Sequence, residues 1–159
     1  MQSGKHMITV KGDKFEDVQI RTNNPRFTIT SVRPSGVLEE PALSIKVGFK
    51  GGLMEAGEMV VNFDGSTISI FHFEVEPRVR RKGVGSFMIK VFNGLILWTD
   101  PDEVSAIIGG DESTKSFLMN NGYQEQMLGT QEMDNGEDIT ELKGDVGDID
   151  IDETEYNIT

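Results

Sequence analysis

The chain contains no cysteine. That excludes disulfides, thiolate metal sites and a cysteine nucleophile. It carries only His6 and His72 as histidines, too few for a histidine-based centre, and no metal site is expected. No apolar run approaches membrane-spanning length, so no transmembrane helix is predicted, and no secretory leader is legible. The expected location is cytoplasmic. Positive charge is scarce as well, with 15 Lys and Arg against 27 Asp and Glu. Nucleic-acid binding needs a broad basic face to neutralise phosphates, so nucleic acid is excluded as a partner.

What is present suits one folded unit. A length of 159 residues with 36% hydrophobic and 8% aromatic side chains is enough for a single core. The formal charge of −12 is uneven. From Glu132 onward eleven carboxylates face Lys143 alone, a net −10, which leaves about −2 for everything before. The expectation is one domain over residues 7–143, then an acidic tail over 144–159 with little fixed structure. Such a tail is either a solvated end or a lure for a basic partner.

The first seventy-odd residues read as strands. "MITV", "VQIR", "RFTITSV", "LSIKVGF", "EMVVNF" and "STISIFHFEVE" are rich in β-branched and aromatic residues. Turn signals separate them, the clearest being Asp64-Gly65 in "FDGS", which predicts a tight hairpin. "GGLMEAGE" has room for one helical turn. After Gly85 the period changes. Phe87, Met88, Val91, Phe92, Leu95 and Ile96 recur on one helical face, and Pro101 stops the helix. "VSAII" is a short continuous apolar run of the kind buried on both faces of a sheet. A second helix follows, with Asp111 or Ser113 as its cap and Gly122 past its end. "YQEQMLG" and "EDITELK" predict a final hairpin. Met54, Met59, Met88, Met119 and Met127 are expected to fill gaps in the core. The sum is an α+β chain with two helices packed on a sheet.

One segment stands out. In "VEPRVRRKGVGSFMIKVFNGL", Arg78, Arg80, Arg81 and Lys82 crowd the mouth of a helix in an acidic protein. Helix N-termini present unpaired N–H groups and partial positive charge, and glycines let a phosphate approach the backbone. "RRKGVGS" between a strand and a helix is therefore a physically reasonable pyrophosphate cradle. It lacks the Gly-Lys-Ser/Thr ending of a Walker loop and the third glycine of the dinucleotide fingerprint. The plainer reading is a solubilising loop.

Here the sequence resembles the GNAT superfamily of acyl-CoA-dependent N-acyltransferases. That family's central signature, Arg/Gln-x-x-Gly-x-Gly/Ala after a strand, is similar to Arg80-Arg81-Lys82-Gly83-Val84-Gly85 following "VEP". Its second signature resembles "VSAII" followed by "DESTKSFLMNNGY", with Asp111 where Asn is frequent and Gly122-Tyr123 where Gly-Phe is frequent. The likeness runs from Ser66 to about Leu142.

The resemblance implies a GNAT-like, mixed and mostly antiparallel central sheet whose two central strands splay apart. It implies acetyl-CoA, or a related acyl-CoA, as co-substrate in that gap. The pantetheine arm would pair with exposed backbone of Phe73 and Val75. The pyrophosphate would take N–H bonds from Arg80 through Ser86, so Arg80, Arg81, Lys82, Gly83, Val84, Gly85 and Ser86 are the expected binding residues. An amine would attack the thioester directly. Alternation along "FHFEVE" puts Phe71, Phe73 and Val75 on one face and His72, Glu74 and Glu76 on the other. Glu74 or His72 is the candidate base; the plain reading of both is ordinary polar surface. Two departures stand out. Leu118 occupies the position where the family often has a proton-donating tyrosine. No helical period precedes Gly85, where the family usually places acceptor-site helices.

The leading expectation is an N-acetyltransferase acting on an amine, with acidic surroundings favouring a cationic small molecule or a basic protein. A catalytically inactive GNAT-fold binding protein (inhibitor, adaptor or assembly component) is the alternative. A β-rich domain with a coincidental Gly-Val-Gly is the third.

Overall fold

The computed structural model describes residues 6–35, 41–52, 54–109, 112–121, 123–132, 138–144 and 151–159. Six strands come first: β1 (Ile8–Lys11), β2 (Gln19–Thr22), β3 (Phe27–Pro34), β4 (Ala42–Phe49), β5 (Glu55–Phe63) and β6 (Thr67–Val75). Helix α1 (Val84–Thr99), β7 (Glu103–Gly109) and α2 (Glu112–Asn120) follow. The described chain ends with β8 (Tyr123–Glu132), β9 (Asp138–Gly144) and β10 (Tyr156–Ile158). Asp111 and Gly122, the expected cap and stop residues of α2, lie outside the described residues.

The strands form a seven-stranded sheet of order β3-β4-β5-β6-β7-β9-β8 and a three-stranded sheet of order β10-β1-β2. Within the large sheet only β6 and β7 run parallel. That pair is joined by α1, because parallel neighbours need a crossover whereas antiparallel ones need only a turn. The expected mixed, mostly antiparallel sheet with two helices is therefore the observed one. β3 and β4 pair directly, and the seven residues between them leave no length for a helix pair.

All six apolar positions predicted for α1 are buried. So are Val84, Ile89 and Gly94, which widens the apolar surface beyond one face. The reason is that α1 is covered twice: the large sheet packs on one side and β1 with β10 on the other. On the sheet side, a methyl at Gly57 of β5 would stand 2.5 Å from the Met88 sulfur and 3.1 Å from Val84. Only glycine lets the first turns of α1 lie this close to β5, and this contact sets where the helix mouth falls.

The acidic end is a correction. Little fixed structure was expected after Gly144, yet Tyr156–Ile158 pairs in parallel with Ile8–Val10. The Tyr156 hydroxyl donates to the Lys90 carbonyl at 2.8 Å, and Glu155 forms an ion pair with Lys90. Apolar positions Ile151, Tyr156 and Ile158 pack against the core. The preceding run of carboxylates concealed them in composition. Of "GGLMEAGE", Leu53 lies outside the described residues; among the others Gly51 is in a turn, β5 begins at Glu55, and no helical turn is present. Met59 and Met88 are fully buried as expected, whereas Met54 and Met119 are exposed.

The hairpin at Asp64-Gly65 forms as predicted. The Asp64 carboxylate accepts from the Ser66 and Thr67 N–H groups at 2.8 and 2.7 Å, and Gly65 takes φ of 100°. Those two bonds, to Thr67 first, hold the Asp64 carboxyl below its ordinary value of 3.8. A depressed folded-state pKa adds stability that is present above 3.8 and is lost as pH falls through the folded value. The gap in melting temperature between wild type and Asp64→Ala is thus expected to be open at about pH 6 and to close at about pH 2. For the C-terminal strand, Tyr156→Ala removes a hydrogen bond and a half-buried ring. It is expected to cost about 2 kcal/mol, lowering the melting temperature by about 4–8 °C in a thermal unfolding scan.

Candidate active site

β6 and β7 pair only from Thr67–Ile70 against Glu103–Ala106. Beyond that point β6 continues along β5 to Val75, while β7 continues along β9 to Gly109. The two strands therefore part, and a cavity of about 810 Å³ lies there, walled by β6 from Phe71 to Val75.

A bulge prepares this wall. Val61 pairs with Ile70 but Val60 with His72, so Phe71 is an extra residue in β6. The bulge changes the phase of the strand. Before it Ile68 and Ile70 oppose Phe63 and Val61; after it Phe73 and Val75 oppose Met59 and Gly57. His72 and Glu74 fall on the opposite face, as strict alternation within "HFEV" expects.

The main-chain phase follows from one bond. The Glu76 N–H donates to the Ala56 carbonyl at 2.8 Å, so Glu76, Glu74 and His72 direct their backbone groups to β5. Phe73 and Val75 alternate with them and direct N–H and C=O to the opposite side, into the gap. These two residues offer an unpaired strand edge to an extended ligand.

The helix mouth closes one end of the cavity. Arg80, Arg81, Gly83, Val84, Gly85 and Ser86 all line it; Lys82 does not. Gly83 is the N-cap with φ of 88° and no side-chain cap, and the first bond of the helix is Phe87 N–H to the Gly83 carbonyl. The N–H groups of the first turn thus have no partner within the helix. Arg81 also sits in the left-handed region, with φ of 66°. Such a backbone arrangement aims successive N–H groups at a common point and suits an anion. Arg78 is drawn toward Glu76 at 3.6 Å, away from this group.

From α2, Thr114 and Phe117 complete the lining. The Phe117 ring stacks on Phe73 with centroids 5.9 Å apart and lies 3.4 Å from where a methyl on Gly85 would stand. Phe117 therefore packs against both β6 and the mouth of α1. Sequence reading missed Thr114 and Phe117 because only the fold brings α2 beside β6. Leu118 next to it is fully buried and has no proton to give. Tyr123 is no substitute donor. It is buried in the core, its hydroxyl has no partner among the described residues, and burial pushes its phenol pKa up.

On the open face of the sheet, the His72 Nε2 atom lies 3.2 Å from Glu58 and 3.9 Å from Glu74. Lys46 of β4 in turn reaches Glu58 at 3.7 Å and Glu55 at 3.5 Å. Glu58 was not among the predicted site residues. Its signal lay in register: Lys46, Glu58 and Glu74 stand directly opposite one another on three strands. Among the described residues no cluster of three or more His, Asp or Glu has metal-binding geometry, and no helix is long and apolar enough to cross a membrane.

Several solved structures similar in fold to this chain are acetyltransferases. Ard1 from Thermoplasma volcanium superposes with a TM-score of 0.53 at 18% identity, over 62% of this chain and 68% of that one. An acetyltransferase from Bacillus cereus ATCC 14579 gives 0.53 at 18%, over 65% and 71%. Nourseothricin acetyltransferase gives 0.53 at 12%, over 88% and 84%. No protein-family model matches the chain, and no curated protein matches it in sequence. The chain has the fold of the GNAT acetyltransferases.

Gly83 and Gly85 separate in a simple test. At Gly83 the strain of any side chain is in the backbone, since the nearest atom to an added methyl is an ordinary 3.5 Å away. Gly83→Ala is expected to cost about 1 kcal/mol, seen as a fall of about 2–4 °C in melting temperature. Gly85→Ala has no positive φ to oppose and is expected to leave the melting temperature unchanged or slightly raised.

Proposed function

We propose that this protein is an acyl-CoA-dependent N-acyltransferase, with acetyl-CoA the acyl donor and a cationic amine the acceptor. One observation carries this reading. A free strand edge at Phe73 and Val75 runs beside an uncapped helix mouth flanked by Arg80 and Arg81. A long ligand with amides along its tether and a diphosphate at one end fits that sequence of groups. The amides pair as a strand does; the diphosphate takes the N–H groups of Val84, Gly85 and Ser86 and the two guanidinium charges. Phe117 gives the tether an apolar wall. Lys82, outside the lining, contributes long-range attraction.

The thioester end then lies toward His72 and Glu74. The acceptor ammonium gives up one proton to a base there. Its nitrogen attacks the thioester carbonyl, the C–N bond forms and the C–S bond breaks. The departing thiolate takes the second proton from the nitrogen, so an amide and a free thiol result, with one proton released from the base to solvent. Glu58 and Glu74 near this end favour a cationic acceptor, whether a polyamine or a lysine or N-terminus of a basic protein.

A binding-only role is the second reading, favoured by Leu118 buried where a donor is frequent and by the direct β3–β4 pairing that leaves no acceptor helices. Acetyl-CoA at 100 times its dissociation constant stabilises a native-state binder by about 2.7 kcal/mol, so a melting-temperature rise of about 5–10 °C is expected. Arg80→Glu combined with Arg81→Glu should abolish the rise. A rise without thiol release across a panel of amines selects the binding-only reading. No rise at all removes the acyltransferase reading and leaves a binding role that works through protein contacts without the cofactor.

A further inference from the structure

Glu58 and Glu74 stand directly opposite each other on adjacent strands, a like-charge pairing that sheets avoid. The His72 ring lies between them, with Nε2 nearer to Glu58. A carboxylate only accepts, so Nε2, 3.2 Å from Glu58, is the ring nitrogen placed to carry the hydrogen. In the neutral imidazole the lone pair then belongs to Nδ1, for which no described residue provides a partner. His72 itself lines the cavity. The charged groups facing this ring are Glu58 from β5 and Glu74 on its own strand. Lys46 from β4 lies behind them, within 3.7 Å of Glu58 and 3.5 Å of Glu55, so the Glu58 carboxylate has a cation on its far side.

From this geometry we propose that Glu58 is a positioning residue: it fixes the His72 tautomer so that Nδ1 takes the proton of the incoming amine. The inference rests on the acyltransferase reading and selects between its two candidate bases. Glu74 is more exposed than Glu58 (65% against 38% of the side chain), and no Lys or Arg among the described residues pairs with it. Glu58 also stabilises the imidazolium that forms, as a carboxylate behind a histidine does. Its own part is to orient and to neutralise, without touching substrate.

Only two histidines are present, so ring nitrogen NMR on the ligand-free protein, assigned with a His6→Ala variant, isolates His72. Above the titration range the wild-type ring is expected to show a pyridine-type Nδ1 and a protonated Nε2. In Glu58→Ala the two nitrogens should average between tautomers, while Glu58→Gln, which keeps an accepting carbonyl, should hold the wild-type pattern. With acetyl-CoA and spermidine as the amine, Glu58→Ala should lower kcat by about tenfold or more with the acetyl-CoA KM unchanged. Glu58→Gln should fall between, and its pH–rate profile should lose the limb that belongs to the charged pair. A protonated Nδ1 in wild type, or a tautomer indifferent to Glu58→Ala, overturns the positioning role even if the enzyme is active. Wild type that holds the tautomer but releases no thiol with any amine instead overturns the acyltransferase reading, and with it the role of Nδ1 as base.

Discussion

Everything at the candidate site depends on β6 and β7 ceasing to pair after Ile70 and Ala106. A parallel pair in mid-sheet normally continues its ladder, since each unpaired N–H and C=O held away from water costs free energy. Here the extra residue Phe71 bends β6 and shifts its phase, so that Phe73 and Val75 keep their main-chain groups unpaired toward the gap. Phe117 packs on Phe73 across that gap, which keeps the strands apart without filling the cavity. On the proposed acyltransferase reading, an extended ligand would supply the missing ladder partner, and the vacancy in the sheet would be the source of binding energy.

The helix mouth is placed by packing, not by its own loop. Gly57 admits Met88 and Val84 to β5, and the second sheet presses α1 from behind through β1 and β10. Packed between these two layers, α1 has its uncapped first turn at the cavity. The strain at Arg81 and the positive φ at Gly83 are small costs against that burial. The C-terminal strand β10 thus supports a site it does not touch, by covering the back of α1.

Charge is divided by position. Arginines gather where a diphosphate would lie, while carboxylates dominate the open face of β4, β5 and β6. β3 pairs directly with β4, no helix among the described residues lies between them, and the His72 ring stays 41% exposed. On the proposed acyltransferase reading, this division of charge would separate an anionic donor from a cationic acceptor by electrostatics.

Local pattern was enough for much of this. Alternation and turn chemistry located the strands, the change to a helical period located α1, Asp64-Gly65 located the hairpin, and the arginine-glycine run located the helix mouth. Each rests on neighbours a few residues apart, whose geometry the chain itself dictates. Glu58 meeting His72, Phe117 meeting Phe73, the pairing of Tyr156 with Ile8 and the parting of β6 from β7 were decided only by tertiary structure. All four depend on register between segments far apart in the chain. A single bulge such as that at Phe71 resets register, and no periodicity within one strand reveals which residue will be the extra one.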